Sequence, residues 1–344
     1  MGKKPHLSMA DVDALTFEDG CLFHDIRGRA HEAPTPLAPL ADTHGHLGSL
    51  EDHDAALSLA RAALAGVRLL VCPIDPAFAH EFPDTWKDPQ ALEAWFGKTI
   101  VKAREYLERF AECGLLPPTF VGAYENVSEL LENIFVIAGA HPYSAADFDD
   151  DARARMERLL VCERTLGVGE IGLDFGPYCE VCEEAQVRAF RAQLRMAHEH
   201  RLPVELHLRD GEGNTHAHDV ARTILEQEGV PEAGCDLHCF TDNAEVMTPF
   251  VELGCYVAFG GAATFKRSED IRSAALACPS AQMLSETDAP YMAPEPLRGS
   301  ECEPAMVAFS AELLARIRAE AGVASKQETY DALWVNARRL CGLD

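Results

Sequence analysis

Positive charge is scarce in this chain of 344 residues: 30 lysines and arginines stand against 56 aspartates and glutamates, a net charge of −26. A protein that grips nucleic acid through surface charge alone carries the opposite balance. A phosphate-bearing substrate must therefore be drawn in by metal ions or by a local basic cluster. Long apolar runs are missing too. None approaches the roughly 20 residues that cross a bilayer, so no membrane association is expected. Lys3 and Lys4 lead into mixed polar residues and not into an apolar segment, so a signal peptide is not expected and a cytoplasmic location is. No GxGxxG follows the first candidate strand, which disfavours an open dinucleotide-binding sheet. Repeats and low-complexity tracts are also absent.

The twelve cysteines are scattered and suggest free thiols in a reducing compartment, not a disulfide framework. Cys72, Cys162, Cys235 and Cys255 lie in apolar runs and read as small core residues. Cys179 and Cys182 form a CxxC without the second pair that a structural zinc site normally needs, so a loop or helix start is the simpler reading.

What is present is a rhythm of short apolar runs, each followed by a helical pattern. The strand candidates are Leu40–His44, Arg68–Ile74, Ile134–His141, Gly167–Leu173, Pro203–Leu208, Cys235–Phe240, Tyr256–Gly260 and Met283–Thr287. They are nearly continuous in apolar residues, as strands buried on both faces are. Helical spacing appears over Val187–His200 and Ala305–Ala319. Eight strands alternating with helices predict an α/β fold of the (β/α)₈ TIM-barrel type. Residues 1–38 read as an N-terminal extension and 39–344 as the barrel. Segment 75–132 is longer than a usual strand-to-helix connection and reads as an insertion of one or two helices around Pro89–Cys113, broken at Pro117-Pro118.

In such a barrel the chemistry sits at the C-terminal ends of the strands. The first strand leads into Asp42-Thr43-His44-Gly45-His46, whose two histidines share a face in extended backbone and can hold one metal ion. Later strands end in His141, Glu170, His207, His238, and the pair Glu286 and Asp288. Ionisable residues are rarely placed in buried strands unless paired or metal-bound. Six strands ending this way form the pattern of a binuclear centre. His44, His46, Glu170 and Asp288 can hold one ion. Glu170 can bridge to a second, completed by His207 and His238. A bridging carboxylate keeps two cations about 3.5–4 Å apart, as two-metal hydrolysis requires. Asp288 can orient the attacking water or take its proton. The mixed nitrogen and oxygen set suits Zn²⁺, Mn²⁺ or Mg²⁺.

The ordered motifs Asp42-Thr-His-Gly-His46, Gly139-Ala-His-Pro142, Gly169-Glu-Ile-Gly-Leu-Asp174, Leu202-Pro-Val-Glu-Leu-His-Leu-Arg209, His238-Cys-Phe240, Glu286-Thr-Asp-Ala-Pro290 and Pro296-Leu-Arg-Gly299 resemble the TatD family of metal-dependent deoxyribonucleases, over roughly residues 40–342. The resemblance implies a barrel with two divalent metal ions and phosphodiester hydrolysis, chiefly 3′–5′ exonuclease action on DNA and in some members on RNA. It carries the metal positions onto His44, His46, Glu170, His207, His238 and Asp288, with Glu170 and Asp288 catalytic. It sets Arg209, Lys266 and Arg298 where a phosphate could be held, and His141 as a group supporting the metals or the substrate. Two positions depart from the family pattern. Ser300-Glu301-Cys302 stand where an Asn usually precedes Glu-Pro, and Thr241-Asp242 follow His-Cys-Phe in place of a small residue and Gly. With the acidic balance and the long 75–132 segment, these leave open a small-molecule amide, ester or phosphoester hydrolase on the same barrel.

Overall fold

All eight expected strands form, joined into one parallel sheet in chain order. They are β3 (Leu40–Asp42), β4 (Val67–Ile74), β5 (Ile134–Ala138), β6 (Thr165–Asp174), β7 (Val204–Arg209), β8 (Cys235–Leu237), β9 (Tyr256–Phe259) and β10 (Met283–Ser285). The computed structural model describes residues 7–77, 88–211 and 213–344. Every residue of β4 is buried, and nearly every residue of β6, which explains their unbroken apolar character. Helices alternate with the strands: α2 (Ala55–Ala65), α3 (Pro89–Glu112), α4 (Asp150–Leu160), α5 (Glu183–His200), α6 (His216–Glu228), α7 (Ala244–Glu252), α8 (Glu269–Ala277), α9 (Val307–Glu320) and α10 (Lys326–Leu340). The α/β TIM barrel is therefore the fold. Among the described residues no helix is long and apolar enough to cross a membrane.

Side-chain and backbone hydrogen bonds together close the barrel between β3 and β10. Asp42 Oδ1 accepts the Thr287 N–H at 2.8 Å, and its Oδ2 accepts the Thr287 hydroxyl at 2.7 Å. The backbone adds Thr43 N–H to the Ser285 carbonyl (3.2 Å), Asp288 N–H to the His44 carbonyl (2.9 Å) and His46 N–H to the Ala289 carbonyl (2.8 Å). The segment carrying both histidines is thus stitched to the segment carrying Asp288.

Several strands stop short of their expected ends. β3 ends at Asp42, β5 at Ala138, β8 at Leu237 and β10 at Ser285, so the polar residues that follow lie just beyond the ladder. Cys239 and Asp288 have left-handed φ values of 46° and 57°, which mark where the chain turns out of the sheet. The segment 75–132 contains one long described helix, α3, which occupies the crossover between β4 and β5 and packs on α2. Its residues 78–87 lie outside the described residues. Of the four cysteines expected in the core, Cys72, Cys235 and Cys255 are buried, whereas Cys162 is half-buried beside the Arg158 carbonyl.

The N-terminal residues fold onto the barrel. Helix α1 (Met9–Asp19) is followed by a two-stranded antiparallel ribbon, β1 (Phe23–His24) with β2 (Ala30–His31). Phe17 stacks on Phe110 of α3 with ring centroids 4.5 Å apart. The buried Arg61 of α2 donates to Thr16 Oγ1 (2.8 Å), the Leu22 carbonyl (2.5 Å) and Glu303 (2.6 Å). His53 Nδ1 lies 3.1 Å from Asp13 Oδ2.

Two predictions follow from these buried contacts. Burial alone would push the His53 pKa down, but the Glu303 charge and the Asp13 hydrogen bond lift it to about 9. A histidine with a raised folded pKa stabilises fully below its ordinary value of 6.5 and loses that contribution as pH rises through about 9. The stability gap between the parent and His53→Gln should therefore shrink between pH 7 and pH 10 in thermal denaturation; a constant gap counts against the ion pair. Asp42→Ala removes both Thr287 hydrogen bonds and leaves a buried N–H unpaired, which should cost about 2–3 kcal/mol in urea unfolding.

Candidate metal centre

The residues that close the barrel also build its chemistry. His44 and His46 leave β3 with their Nε2 atoms 3.0 Å apart, and Asp288 Oδ1 lies 3.8 Å from each. Glu170 on β6 is buried at the centre. Its Oε2 faces His44 Nε2 (3.8 Å) and His46 Nε2 (3.7 Å). Its Oε1 faces His207 Nδ1 (2.8 Å), His238 Nε2 (2.9 Å) and His141 Nε2 (3.5 Å). One carboxylate thus presents a different oxygen to each of two nitrogen sets. Donor atoms within 4.8 Å of one another form the groups His44, His46, Asp288 and His141, Glu170, His207, with a third of His44, His238 and Glu286.

Local backbone chemistry allows this crowding. Gly172 on β6 has φ 145°, and a Cβ there would fall 2.1 Å from the His207 carbonyl oxygen. Only glycine lets β6 and β7 approach closely enough to bring Glu170 and His207 together. At the end of β6, Asp174 is buried and accepts the Gly176 N–H, and its Oδ2 lies 3.2 Å from His207 Nε2. Gln186 of α5 holds the Asp174 backbone from both sides, through Asp174 N–H (2.8 Å) and its carbonyl (3.0 Å).

The electrostatics favour cations. Burial, reinforced by neighbouring imidazoles, pushes His46 and His141 down to about 3, and burial with the His238 charge lowers His44. These rings are neutral near pH 7, with a lone pair free to coordinate. Burial opposes the charge on Glu170, yet the facing His141 and His238 rings and the hydrogen bonds with His207 and His238 hold it well below the usual carboxylate range. Burial also raises Asp288. Beneath the histidines, Glu286 Oε1 accepts the Cys239 N–H, while its Oε2 and His238 Nδ1 are buried without hydrogen-bond partners, 3.8 Å apart. His207 and His238 shift the other way: burial opposes their charge, but Asp174 and Glu170 raise His207 and Glu170 raises His238, so a cation bound there would replace their protons. Imidazoles, an ionised central carboxylate and orphaned polar atoms form a donor set that fits divalent ions.

The structure gathers His44, His46, Glu170, His207, His238 and Asp288 in one cleft and adds His141 at comparable range. Arg209, exposed at the end of β7, lies over Tyr178 with its guanidinium 5.4 Å from the ring. Arg298 lies over Phe265 at 4.2 Å, next in sequence to the exposed Lys266. Asp242, on the loop after β8, groups with Asp210 after β7 and His218 of α6. Glu301 accepts backbone N–H groups from Glu51 (2.7 Å), Asp52 (3.2 Å) and His53 (2.8 Å), fixing the loop that follows His46. Sequence reasoning missed Glu205, whose Oε1 is 2.6 Å from His44 Nδ1. The signal was available: Glu205 is two residues before His207 on a strand, hence on the same face.

A barrel with carboxylates and imidazoles converging at the strand ends is a metal-dependent hydrolase. The family model described as TatD related DNase matches residues 41–342, and the chain belongs to the TatD family. It is 36% identical over 229 residues to the Escherichia coli K12 protein named uncharacterized metal-dependent hydrolase YcfH, covering 66% of this chain and 82% of that one. It is 32% identical over 188 residues to the 3′-5′ ssDNA/RNA exonuclease TatD of Erwinia billingiae, covering 53% of this chain and 69% of that one. The crystal structure of YJJV, a TatD homolog from Escherichia coli, superposes with a TM-score of 0.65 and 26% identity, covering 88% of this chain and 97% of that one.

Elemental analysis tests the two donor sets. His46→Ala and His207→Ala should each lose about one equivalent of metal, and Glu170→Ala should weaken both sites. Loss of all metal from His46→Ala alone would mean a single site.

Proposed function

We propose that this chain hydrolyses phosphodiester bonds with two divalent ions, Mg²⁺, Mn²⁺ or Zn²⁺, and trims single-stranded DNA, and RNA as well, from the 3′ end. The observation that carries the reading is the division of Glu170, with one oxygen toward His44 and His46 and the other toward His207, His238 and His141. His44, His46, Asp288 and Glu170 Oε2 would hold one ion; Glu170 Oε1, His207 and His238 would hold the other, with His141 beside them. When bound, such a pair supplies an activated water and offsets charge on both the attacking and the leaving oxygen. Asp288, whose Oδ1 faces His44 and His46, would be the group placed to take a proton from such a water, since an ionised carboxylate offers only acceptors. Arg209 holds a non-reacting phosphate at the cleft edge, and Lys266 and Arg298 hold the strand further along the rim.

The relatives named as exonucleases support the substrate. Residues 1–38 then form an extension on a 39–344 hydrolase barrel, with 75–132 as its enlarged connection. The free cysteines fit a reducing cytoplasm.

The test is a time course on 5′-labelled single-stranded DNA with Mg²⁺ or Mn²⁺. Shortening from the 3′ end is expected, abolished by chelator and reduced roughly 10³-fold or more by Glu170→Ala or Asp288→Asn. Metal-loaded protein that leaves DNA and RNA intact but turns over a small ester, amide or phosphoester overturns this reading in favour of a small-molecule hydrolase.

A further inference from the structure

A carboxylate stands behind His44. Glu205 is buried on β7, on the same face as His207, with Oε1 2.6 Å from His44 Nδ1. It has little room to move away. A Cβ on Gly169 of the neighbouring β6 would meet the Glu205 Cβ at 2.8 Å, so β6 carries glycine where the Glu205 stem passes. His44 is confined as well: it is fully buried and its ring stacks on His238 with centroids 3.9 Å apart.

A neutral imidazole has one proton for two nitrogens, and the acceptor at one nitrogen decides where that proton sits. An acceptor at Nδ1, where Glu205 Oε1 lies, would place it there and leave the lone pair on Nε2. That Nε2 is the atom directed at the cleft, 3.0 Å from His46 Nε2 and 3.8 Å from both Glu170 Oε2 and Asp288 Oδ1. The second nitrogen set repeats the arrangement in mirror order. Asp174 Oδ2 lies 3.2 Å from His207 Nε2, and His207 Nδ1 faces Glu170. Each set therefore has one histidine held from behind by a buried carboxylate.

We propose that Glu205 is the positioning residue of the His44–His46 ion site: by accepting the His44 Nδ1 proton it fixes the tautomer and ring angle that aim Nε2 into the cleft, and so sets the affinity for the ion held there. The inference rests on the two-ion reading. The role needs an acceptor at this place more than it needs a negative charge. A glutamine can turn its carbonyl oxygen to Nδ1–H, whereas leucine fills the space with no acceptor.

The experiment compares the parent, Glu205→Gln and Glu205→Leu by Mn²⁺ affinity in a chelator competition, together with ¹⁵N NMR of histidine-labelled, metal-free protein. Glu205→Leu should weaken one of two ions about 10–100-fold, the usual effect of removing a carboxylate behind a metal-binding histidine. Glu205→Gln should bind close to the parent. The NMR should place the His44 proton on Nδ1 in the parent and in Glu205→Gln. Leucine binding as tightly as the parent, glutamine falling as far as leucine, or a parent His44 protonated at Nε2 would each overturn the proposal. If Glu205→Leu does not fold, the glutamine affinity and the parent tautomer decide. A parent that binds no ion removes the two-ion reading instead, and the tautomer signal, which needs no ion, still tells the two failures apart.

Discussion

The seam between the first and last barrel strands is the constraint on which the site depends. An eight-stranded sheet that fails to close leaves His44 and His46 on one edge and Asp288 on the other. Asp42 prevents this with two hydrogen bonds to Thr287, and the backbone bonds on either side of it bind residues 43–46 to residues 285–289. Closure and assembly of the metal-binding residues are the same event. A carboxylate suits the seam because it offers several acceptor positions to a single residue that presents both a backbone N–H and a hydroxyl.

Once the barrel is closed, its centre is an unfavourable place without cations. Five histidines and two carboxylates approach within hydrogen-bond or near-contact range, and burial makes every like-charge pair costly. The chain handles this by keeping several imidazoles neutral and concentrating negative charge on Glu170. It also backs the cluster with buried Glu205, Asp236 and Glu286. Divalent ions held there would offset so many acids in one interior. Their pull on a phosphate-bearing substrate would be local, inside the barrel mouth, and so compatible with an overall charge of −26.

Much of this was readable in the sequence. The strands were visible as apolar runs, and the resemblance in motif order brought together six residues that lie up to 244 positions apart, from His44 to Asp288. The exact strand ends were not visible, because the residues after Asp42, Ala138, Leu237 and Ser285 continue the pattern while the backbone has already turned away. Glu205 was hidden for a different reason. Its spacing from His207 puts it on the same face, but its partner, His44, lies 161 residues earlier and meets it only once the barrel closes. The rim cations were the least legible. Arg298 and Lys266 were read as phosphate-holding groups from position alone, and the fold sets them together near Phe265, apart from Arg209.

Glu301 shows how such a site tolerates change around it. It replaces the Asn of the usual family pattern, and it holds the loop after His46 through three consecutive backbone N–H groups. Every residue except proline supplies that donor, so the side chains at positions 51 and 52 are released from any duty in shaping the loop. Variation among descendants of this chain can therefore accumulate at 51 and 52 with little penalty, while position 301 carries the restriction for both. The sequence of the loop can then change while Glu301 keeps its path.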